Sequence, residues 1–209
     1  MIAGDTSRID VLVSGGGIAG LIAAAAFGAQ GFSTLCVDPA PPVTEEDAAG
    51  ADLRSTAFLM PSVALFERIG LWERLAPHAT ALQVMRIVDA GGATATPRLT
   101  RDFDAAEIGD QPFGWNLPNW LLRREMSARL AEMDNVRFQP GTGTAGVVTR
   151  DEGAIVTLSD GRRIRARLLV GADGRNSPVR QALGIGVRTF RYGQKALAFA
   201  VTHDVPHGN

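Results

Sequence analysis

The residues most suited to chemistry in this chain form a G-x-G-x-x-G pattern: Gly15-Gly16-Gly17-Ile18-Ala19-Gly20. Gly15 permits a tight turn, Gly17 lets a pyrophosphate approach the backbone, and Gly20 lets the following helix pack closely. Backbone N–H groups at the helix start, including those of Ile18 and Ala19, then face the phosphates together with the positive end of the helix dipole. The pattern predicts a dinucleotide-binding site.

A carboxylate, Asp38, ends the second apolar segment, about 20 residues after the glycine pattern, as expected for a dinucleotide site. In that position it can accept hydrogen bonds from the hydroxyl groups of an adenosine ribose. An acid fits NAD or FAD and disfavours NADP, because it would repel the 2′-phosphate. The choice between NAD and FAD stays open on these residues.

Two further segments carry charged residues next to a predicted helix start. Arg54, in Arg54-Ser55-Thr56-Ala57, is suited to lie along a pyrophosphate, although a solvated loop arginine is the alternative. Asp173, in Gly171-Ala172-Asp173-Gly174, follows a buried strand, and here the alternative is a capped turn.

Apolar periodicity indicates the elements that position these residues. The first three are a strand at 9–13, a helix at 18–30 and a strand at 33–38, which give a β-α-β opening. Helices are predicted at 55–69, 119–133 and 178–183, and a strand at 167–170. Two antiparallel hairpins are predicted, 81–89 with 93–99 and 145–150 with 154–158, and a strand pattern resumes after Gly186.

The second motif resembles the signature of the aromatic-ring flavoprotein monooxygenases, a strand followed by G-A-D-G-x-x-S-x-V-R, which residues 171–180 match. Three other segments resemble the ubiquinone-biosynthesis hydroxylases of that class: Arg54-Ser55-Thr56-Ala57, Asn119-x-x-Leu122-x-x-x-Met126, and Tyr192-Gly193-Gln194-Lys195-Ala196 leading to Pro206-His207. The similarity covers nearly the whole chain, although Met126 stands where leucine is usual.

This resemblance implies FAD as the cofactor and NAD(P)H as a transient co-substrate. The implied activity is hydroxylation of a small aromatic substrate of the polyprenylphenol type with dioxygen, in ubiquinone biosynthesis. The cofactor carries that chemistry, so no catalytic side chain is expected. Two alternatives stay open: an FAD-binding remnant without activity, and another FAD enzyme such as a phenolic hydroxylase or a prenyl-group reductase.

The resemblance also implies roles for single residues. Asp38 would hold the adenosine ribose, Arg54 and Asn119 would contact the phosphate and flavin side of FAD, and Asp173 would support the pyrophosphate region and the passing NAD(P)H. The pyrophosphate itself would lie against three glycines, Gly15, Gly17 and Gly20.

The implied fold is α/β, with a Rossmann-like FAD-binding domain of the ββα type, a parallel sheet, and a partial, mainly antiparallel β substrate domain. Residues 1–77 and 119–184 are assigned to the first domain, and residues 78–118 and 185–209 to the second. The family also carries a Gly-Asp-Ala-x-His segment that is absent from this sequence. We therefore expect a truncated member whose sheet has an unpaired edge.

Composition limits the other classes of function. The chain has 209 residues, 45% hydrophobic and 21% charged, which is typical of a globular protein. A formal net charge of -1 argues against nucleic acid as a partner. His78, His203 and His207 lack metal-ligand spacing, so no metal is expected, and Cys36 is predicted to be buried and inert. The expected location is the cytoplasm, with peripheral attachment at the inner membrane face or to a biosynthetic complex left open for the complete protein.

Overall fold

The computed structural model describes residues 7–91, 96–197 and 203–205. Within these ranges the α-helices are α1 (Ile18–Ala29), α2 (Met60–Arg68), α3 (Trp72–Leu75), α4 (Asn119–Ala131) and α5 (Pro178–Ala182). The strands are β1 (Ser7–Ser14), β2 (Thr34–Asp38), β3 (Ser55–Leu59), β4 (Thr80–Ala81), β5 (Val84–Asp89), β6 (Leu99–Asp104), β7 (Gly114–Pro118), β8 (Val136–Pro140), β9 (Thr144–Arg150), β10 (Gly153–Leu158) and β11 (Arg163–Gly171).

The main sheet has six strands in the order β8-β2-β1-β11-β10-β9. The first four run parallel, and β10 and β9 extend the sheet with antiparallel pairs. Because α1 is the crossover between β1 and β2, the predicted β-α-β opening is confirmed. The carboxyl ends of β1, β2, β8 and β11 therefore meet at one edge of the sheet.

Apolar side chains fill both faces of this sheet. Alternate residues of a strand point to opposite faces, so Val11 and Val13 of β1 join one buried cluster while Leu12 joins the other. The first cluster includes Leu21 of α1 and Met126 of α4. The second is formed with residues of β2, β10 and β11, namely Leu35, Val37, Ala154, Val156, Leu158, Ile164 and Ala166. The parallel strands that carry the glycine pattern are thus anchored from both sides.

Two smaller antiparallel sheets accompany the main one. One has the order β3-β7-β4, and the other is the pair β5-β6. The predicted hairpin at 145–150 and 154–158 is confirmed as β9 and β10, and the helix predicted at 119–133 is confirmed as α4. The predicted α/β class with a parallel sheet and antiparallel strands is therefore confirmed.

The helix predicted at 55–69 is wrong in its first third. Ser55–Leu59 is strand β3, paired with Gly114–Pro118 from Ser55↔Pro118 to Leu59↔Gly114, and α2 begins only at Met60. Cross-strand pairing with a segment far along the chain overrides the local capping signal of Ser55. Arg54 therefore precedes a strand and not a helix.

Two other expectations are corrected, and one strand was not predicted. The strand that pairs with β5 is Leu99–Asp104 rather than 93–99, with residues 92–95 outside the described ranges, and the preceding Pro97 has no N–H for a ladder. Among the described residues after Gly186, 187–197 and 203–205, no strand is formed. Strand β8 was not predicted, since five residues after a helix give little periodicity to read.

Candidate dinucleotide-binding site

A cavity of about 490 Å³ lies at the edge where the parallel strands end. Ser14 and Gly15 at the end of β1 line it, as do Asp38 at the end of β2 and Thr144 at the start of β9. The segment that follows β11 contributes Ala172, Asp173 and Gly174. Ligands of open α/β sheets bind in the crevice outside the carboxyl ends of the strands. The sequence-predicted residues Gly15, Gly17, Asp38 and Asp173 are therefore brought together at the expected place.

The glycine pattern forms a close-fitting turn between β1 and α1. Gly15 has a φ of 112°, in the region that favours glycine, and a Cβ there would overlap the carbonyl oxygen of Ala172. A Cβ on Gly20 would overlap the carbonyl oxygen of Gly15. The tight turn at Gly15 and the close approach at Gly20 are thus present as predicted.

Gly17 differs from these two glycines because it has room beside it. A Cβ on Gly17 would meet no atom within 4 Å, and its backbone is extended. Gly17 is the N-cap of α1, which has no side-chain cap and no acidic residue in its first turn. The N–H groups of a first helical turn, here those of Ile18 and Ala19, have no intrahelical acceptors. The N–H groups at this helix start therefore have space beside them in which an anion can bind.

The Asp38 side chain accepts hydrogen bonds from two backbone N–H groups next to the cavity. Its Oδ2 accepts the N–H of Gly16 at 2.6 Å, and its Oδ1 accepts the N–H of Ala40 at 2.9 Å. The carboxylate thereby fixes the middle of the glycine turn relative to the end of β2. Carboxylate oxygens have further lone pairs, so these bonds leave acceptor capacity for a hydroxyl group.

Asp173 lines the same cavity as Asp38 and lies in the chain segment after β11. Its Oδ2 accepts the N–H of Val179 at 3.0 Å and the hydroxyl of Ser14 at 3.4 Å, and Ser14 also hydrogen-bonds Thr144 at 2.8 Å. Ser177 caps α5 by accepting the N–H of Arg180. The capped turn considered for this motif is therefore real, and Asp173 lines the cavity as well.

Arg54 and Asn119 are brought together, but in a different place. Arg54 forms an ion pair with Asp52, whose carboxylate also accepts the side-chain amide of Asn119 at 3.0 Å. The hydrogen bonds of Arg54 hold the pKa of Asp52 far below its usual range. Neither Arg54 nor Asn119 is among the residues that line the cavity at the glycine turn.

Comparison with protein families identifies the family to which the chain belongs. The model of the FAD binding domain matches residues 8–208, nearly the entire chain. The chain belongs to the FAD-binding domain family. FAD as the predicted cofactor is therefore confirmed.

Individual members of this family share much of the sequence. The chain is 37% identical over 209 residues to the ubiquinone hydroxylase UbiL of Rhodospirillum rubrum, covering 99% of this chain and 47% of that protein. It is 28% identical to the 3-demethoxyubiquinol 3-hydroxylase of Escherichia coli, covering 92% and 48%. The chain thus spans about half the length of these curated relatives, and the predicted resemblance to ubiquinone-biosynthesis hydroxylases is confirmed.

A solved structure gives the same result for the fold. The flavin-dependent monooxygenase PieE, in complex with FAD and substrate, superposes with a TM-score of 0.70 at 26% identity, covering 88% of this chain and 33% of that one. The Rossmann-like FAD-binding fold predicted from the motifs is confirmed.

The cavity fits the pyrophosphate end of FAD at the start of α1. The space beside Gly17, at an uncapped helix start, would be filled by any Cβ, and an anion placed there gains from the helix dipole. Asp173 Oδ1 is buried and has no hydrogen-bond partner among the described residues, which is costly unless a donor from a ligand or water reaches it. An anionic pyrophosphate explains the open helix start, whereas the Asp173 oxygen requires a hydrogen-bond donor, which an ionised pyrophosphate does not offer.

Sequence reasoning missed several residues that line the cavity: Ser14, Pro39, Gly143, Thr144 and Ser159. One signal was available. The run Gly141-Thr142-Gly143-Thr144 directly follows β8, and small polar residues after a parallel strand lie at the ligand-binding edge. Ser159 had no such signal, because it follows an antiparallel strand. Its hydroxyl accepts the N–H of Gly143, and this hydrogen bond holds it beside the cavity.

The remaining candidate residues lie apart from this cavity. Cys36 is buried in β2, and burial, followed by the nearby charge of Asp38, raises the pKa of its thiol to about 12. Among the described residues, no cluster of His, Cys, Asp and Glu is arranged to hold a metal ion, and His207 and Pro206 fall outside the described ranges. None of the helices in those ranges is both long and apolar enough to cross a membrane.

Proposed function

We propose that this protein is an FAD-dependent monooxygenase that hydroxylates an aromatic substrate of the polyprenylphenol type, using dioxygen and NAD(P)H, in ubiquinone biosynthesis. The observation that carries the proposal is the cavity at the ends of β1, β2 and β11, with an open helix start at Gly17. The names of the ubiquinone hydroxylases to which the chain is similar support the substrate class.

We assign the cofactor contacts as follows. The backbone of Gly15, Gly17 and Gly20 and the N–H groups of Ile18 and Ala19 would receive the pyrophosphate. Asp38 would accept hydrogen bonds from the adenosine ribose. Asp173 would support the pyrophosphate region indirectly, because its Oδ2 accepts the N–H of Val179 and the hydroxyl of Ser14 and so holds the segment after β11. Arg54 does not line this cavity, and it would contribute its positive charge to the phosphates from outside the cavity.

Bound FAD would supply the redox chemistry, which takes reducing equivalents from a nicotinamide and uses them to activate dioxygen. The side chains of this chain bind and orient. Asp38 ties Gly16 to the end of β2, and the Ser14 hydroxyl links Asp173 to Thr144, so the rim of the cavity is held before any ligand arrives. We assign no side chain as a proton donor or nucleophile.

We also propose the division of labour along the chain. Residues 1–77 and 119–184 would bind the cofactor, and residues 78–118 and 185–209 would belong to a substrate domain. The separation of the β5-β6 pair from the main sheet supports this, whereas the β3-β7 pair joins the two parts. A polyprenylated substrate is lipid-soluble, which favours peripheral attachment to a membrane or to a biosynthetic complex.

Gly17→Asp tests the cofactor site. The side chain has room, so folding is expected to be kept, but a carboxylate beside the pyrophosphate should abolish FAD binding. Gly109→Asp is the matched control, because a Cβ there also meets nothing within 4 Å. FAD titration followed by flavin fluorescence measures both. Equal FAD affinity in the two variants would remove the assignment of Gly17.

Product analysis tests the reaction. The full protein, incubated with FAD, a polyprenylphenol, NADH or NADPH and dioxygen, should give a product that has gained one oxygen atom. A product with a saturated prenyl double bond and no added oxygen would identify a reductase instead. FAD binding without turnover of any phenol would leave a binding protein.

A further inference from the structure

Asp52 is the centre of a polar network that the sequence motifs did not indicate. It lies in the loop before β3, its side chain is 13% exposed, and it receives both Arg54 and Asn119. Its Oδ1 accepts Arg54 Nε at 2.7 Å, and its Oδ2 accepts Arg54 Nη2 at 2.8 Å. Arg123 Nη2 lies farther away, at 3.8 Å. One carboxylate thus holds two residues that the family resemblance assigns to FAD.

The geometry of the Arg54 pair leaves a defined part of the guanidinium available. Arginine has five N–H donors in a rigid planar fork, and Asp52 occupies the edge formed by Nε and Nη2. Within the described part of the chain, Nη1 makes no hydrogen bond, and the Arg54 side chain is 67% exposed. The outer edge, formed by Nη1 and Nη2, is the one that suits a phosphate oxygen pair.

In contrast to the exposed guanidinium of Arg54, the side-chain amide of Asn119 is buried, and both of its polar atoms are bonded within the protein. Its side-chain oxygen accepts the hydroxyl of Thr56 at 2.6 Å, its side-chain nitrogen donates to Asp52, and its backbone N–H donates to the carbonyl of Arg54 at 2.9 Å. The residue is only 6% exposed. Asn119 therefore joins the start of α4 to the loop that carries Arg54.

We propose that Asp52 and Thr56 are positioning residues for the dinucleotide: Asp52 holds one edge of Arg54 so that the exposed other edge is free to bind an anionic phosphate group from outside the cavity at the glycine turn, and Thr56 orients Asn119 as the link that fixes Asp52. This inference rests on the proposed function and deepens it. It assigns Asn119 to support of the Arg54 loop in place of direct contact with the flavin.

A double-mutant cycle in FAD affinity tests the role of Asp52. Asp52→Asn should weaken FAD binding about tenfold, and Arg54→Gln should weaken it by the same factor or more. The double variant should bind no more weakly than Arg54→Gln alone, because Asp52 acts only through Arg54. Melting curves of the apoproteins, measured in parallel, separate this coupling from a general loss of stability.

The matched control is Asp102→Asn, since Asp102 holds Arg86 with the same two distances, 2.7 and 2.8 Å, in the β5-β6 pair. It should leave FAD affinity unchanged. Unaltered FAD affinity in Asp52→Asn, or tighter binding because a competitor for Arg54 is gone, would overturn the inference. Wild-type protein that binds no FAD would overturn the proposed function instead.

The role of Thr56 has its own test, which does not depend on the charge of Asp52. Thr56→Val removes the hydroxyl that holds Asn119, whereas Thr56→Ser keeps it. We expect weaker FAD binding in the valine variant and wild-type binding in the serine variant. Equal FAD affinity in both would remove Thr56 from the positioning network.

Discussion

The six-stranded sheet and the β5-β6 pair both contain strands with apolar side chains, but these side chains are buried in the sheet and exposed in the pair. In the sheet, Leu12 of β1 and Val156 of β10 are fully buried in one apolar cluster. In the β5-β6 pair, Met85, Ile87 and Leu99 are each more than half exposed, at 53%, 52% and 63%. An isolated two-stranded pair has little stability of its own, because it has no hydrophobic layer to close. Burial, rather than strand formation, therefore distinguishes the part of the molecule that can hold a ligand in place.

The charged residues of the two regions differ in the same way. At the cavity, Asp38 and Asp173 bond to backbone N–H groups of neighbouring loops and so fix their shape. In the β5-β6 pair, Asp102 and Arg86 form an ion pair that is more than 40% exposed on each side. Exposed pairs of this kind contribute little to stability. Loss of the exposed Arg86–Asp102 ion pair should thus be tolerated, whereas loss of a carboxylate that holds backbone N–H groups at the cavity should lower stability.

The same substitution in the two regions tests this contrast most strongly. Leu12→Ala leaves a cavity in this buried cluster and should lower the free energy of unfolding by about 3 kcal/mol or more. Leu99→Ala, at an exposed strand position, should change it by less than about 0.5 kcal/mol. Urea unfolding followed by circular dichroism measures both. Similar losses in the two variants would mean that the pair is covered in solution and that the contrast is false.

Glycine substitutions divide the cavity region itself. Gly20→Ala places a methyl group against the Gly15 carbonyl and should cost about 1 to 3 kcal/mol in unfolding free energy. Gly17→Ala meets no atom and should leave stability nearly unchanged, yet its methyl group occupies the space assigned to the pyrophosphate. FAD titration together with denaturation should show a stability defect in the first variant and a pure affinity defect in the second. A stability loss at Gly17 would contradict the open space beside it.

These differences also explain what the sequence could predict. The glycine turn and the first βαβ unit depend on local patterns, namely apolar periodicity and glycine positions, and both were found. Strand β3 was mistaken for helix because its partner, Gly114–Pro118, lies far along the chain. Arg54 was recognised as a cofactor candidate, but its bond to Asp52 is a feature of a loop that has no periodicity. Local patterns thus predict which residues form the candidate site, whereas contacts that carry no local pattern, such as the β3–β7 pairing, determine the backbone structure next to Arg54.

Asp38→Ala should produce a smaller, double effect. Losing the acceptors of the Gly16 and Ala40 N–H groups should lower unfolding free energy by about 1 kcal/mol, and losing the ribose contact should weaken FAD binding at least about tenfold. Asp104→Ala is the control, because Asp104 accepts the N–H of Ala106 beside the β5-β6 pair. It should show a stability change without an affinity change. Unaltered FAD affinity in Asp38→Ala would remove the ribose assignment and leave Asp38 only as the acceptor for the Gly16 and Ala40 N–H groups.

Thiol labelling gives the smallest perturbation, since it changes no residue of the cavity. Cys36 is buried in β2 with a pKa raised to about 12, chiefly by burial, so about one thiol in ten thousand is ionised at pH 8. Labelling of native protein by a disulfide reagent should therefore wait for unfolding of the sheet.

Met85→Cys in β5 places a second thiol at a position that is 53% exposed in the native protein, and it should react at once. Bound FAD should slow the reaction of Cys36 further, because a ligand that binds the native state suppresses the openings that expose this thiol. It should leave the reaction of position 85 unchanged, because that position is exposed without any opening. Prompt labelling of Cys36 in the native protein would show that the cavity end of the sheet opens as readily as the β5-β6 pair.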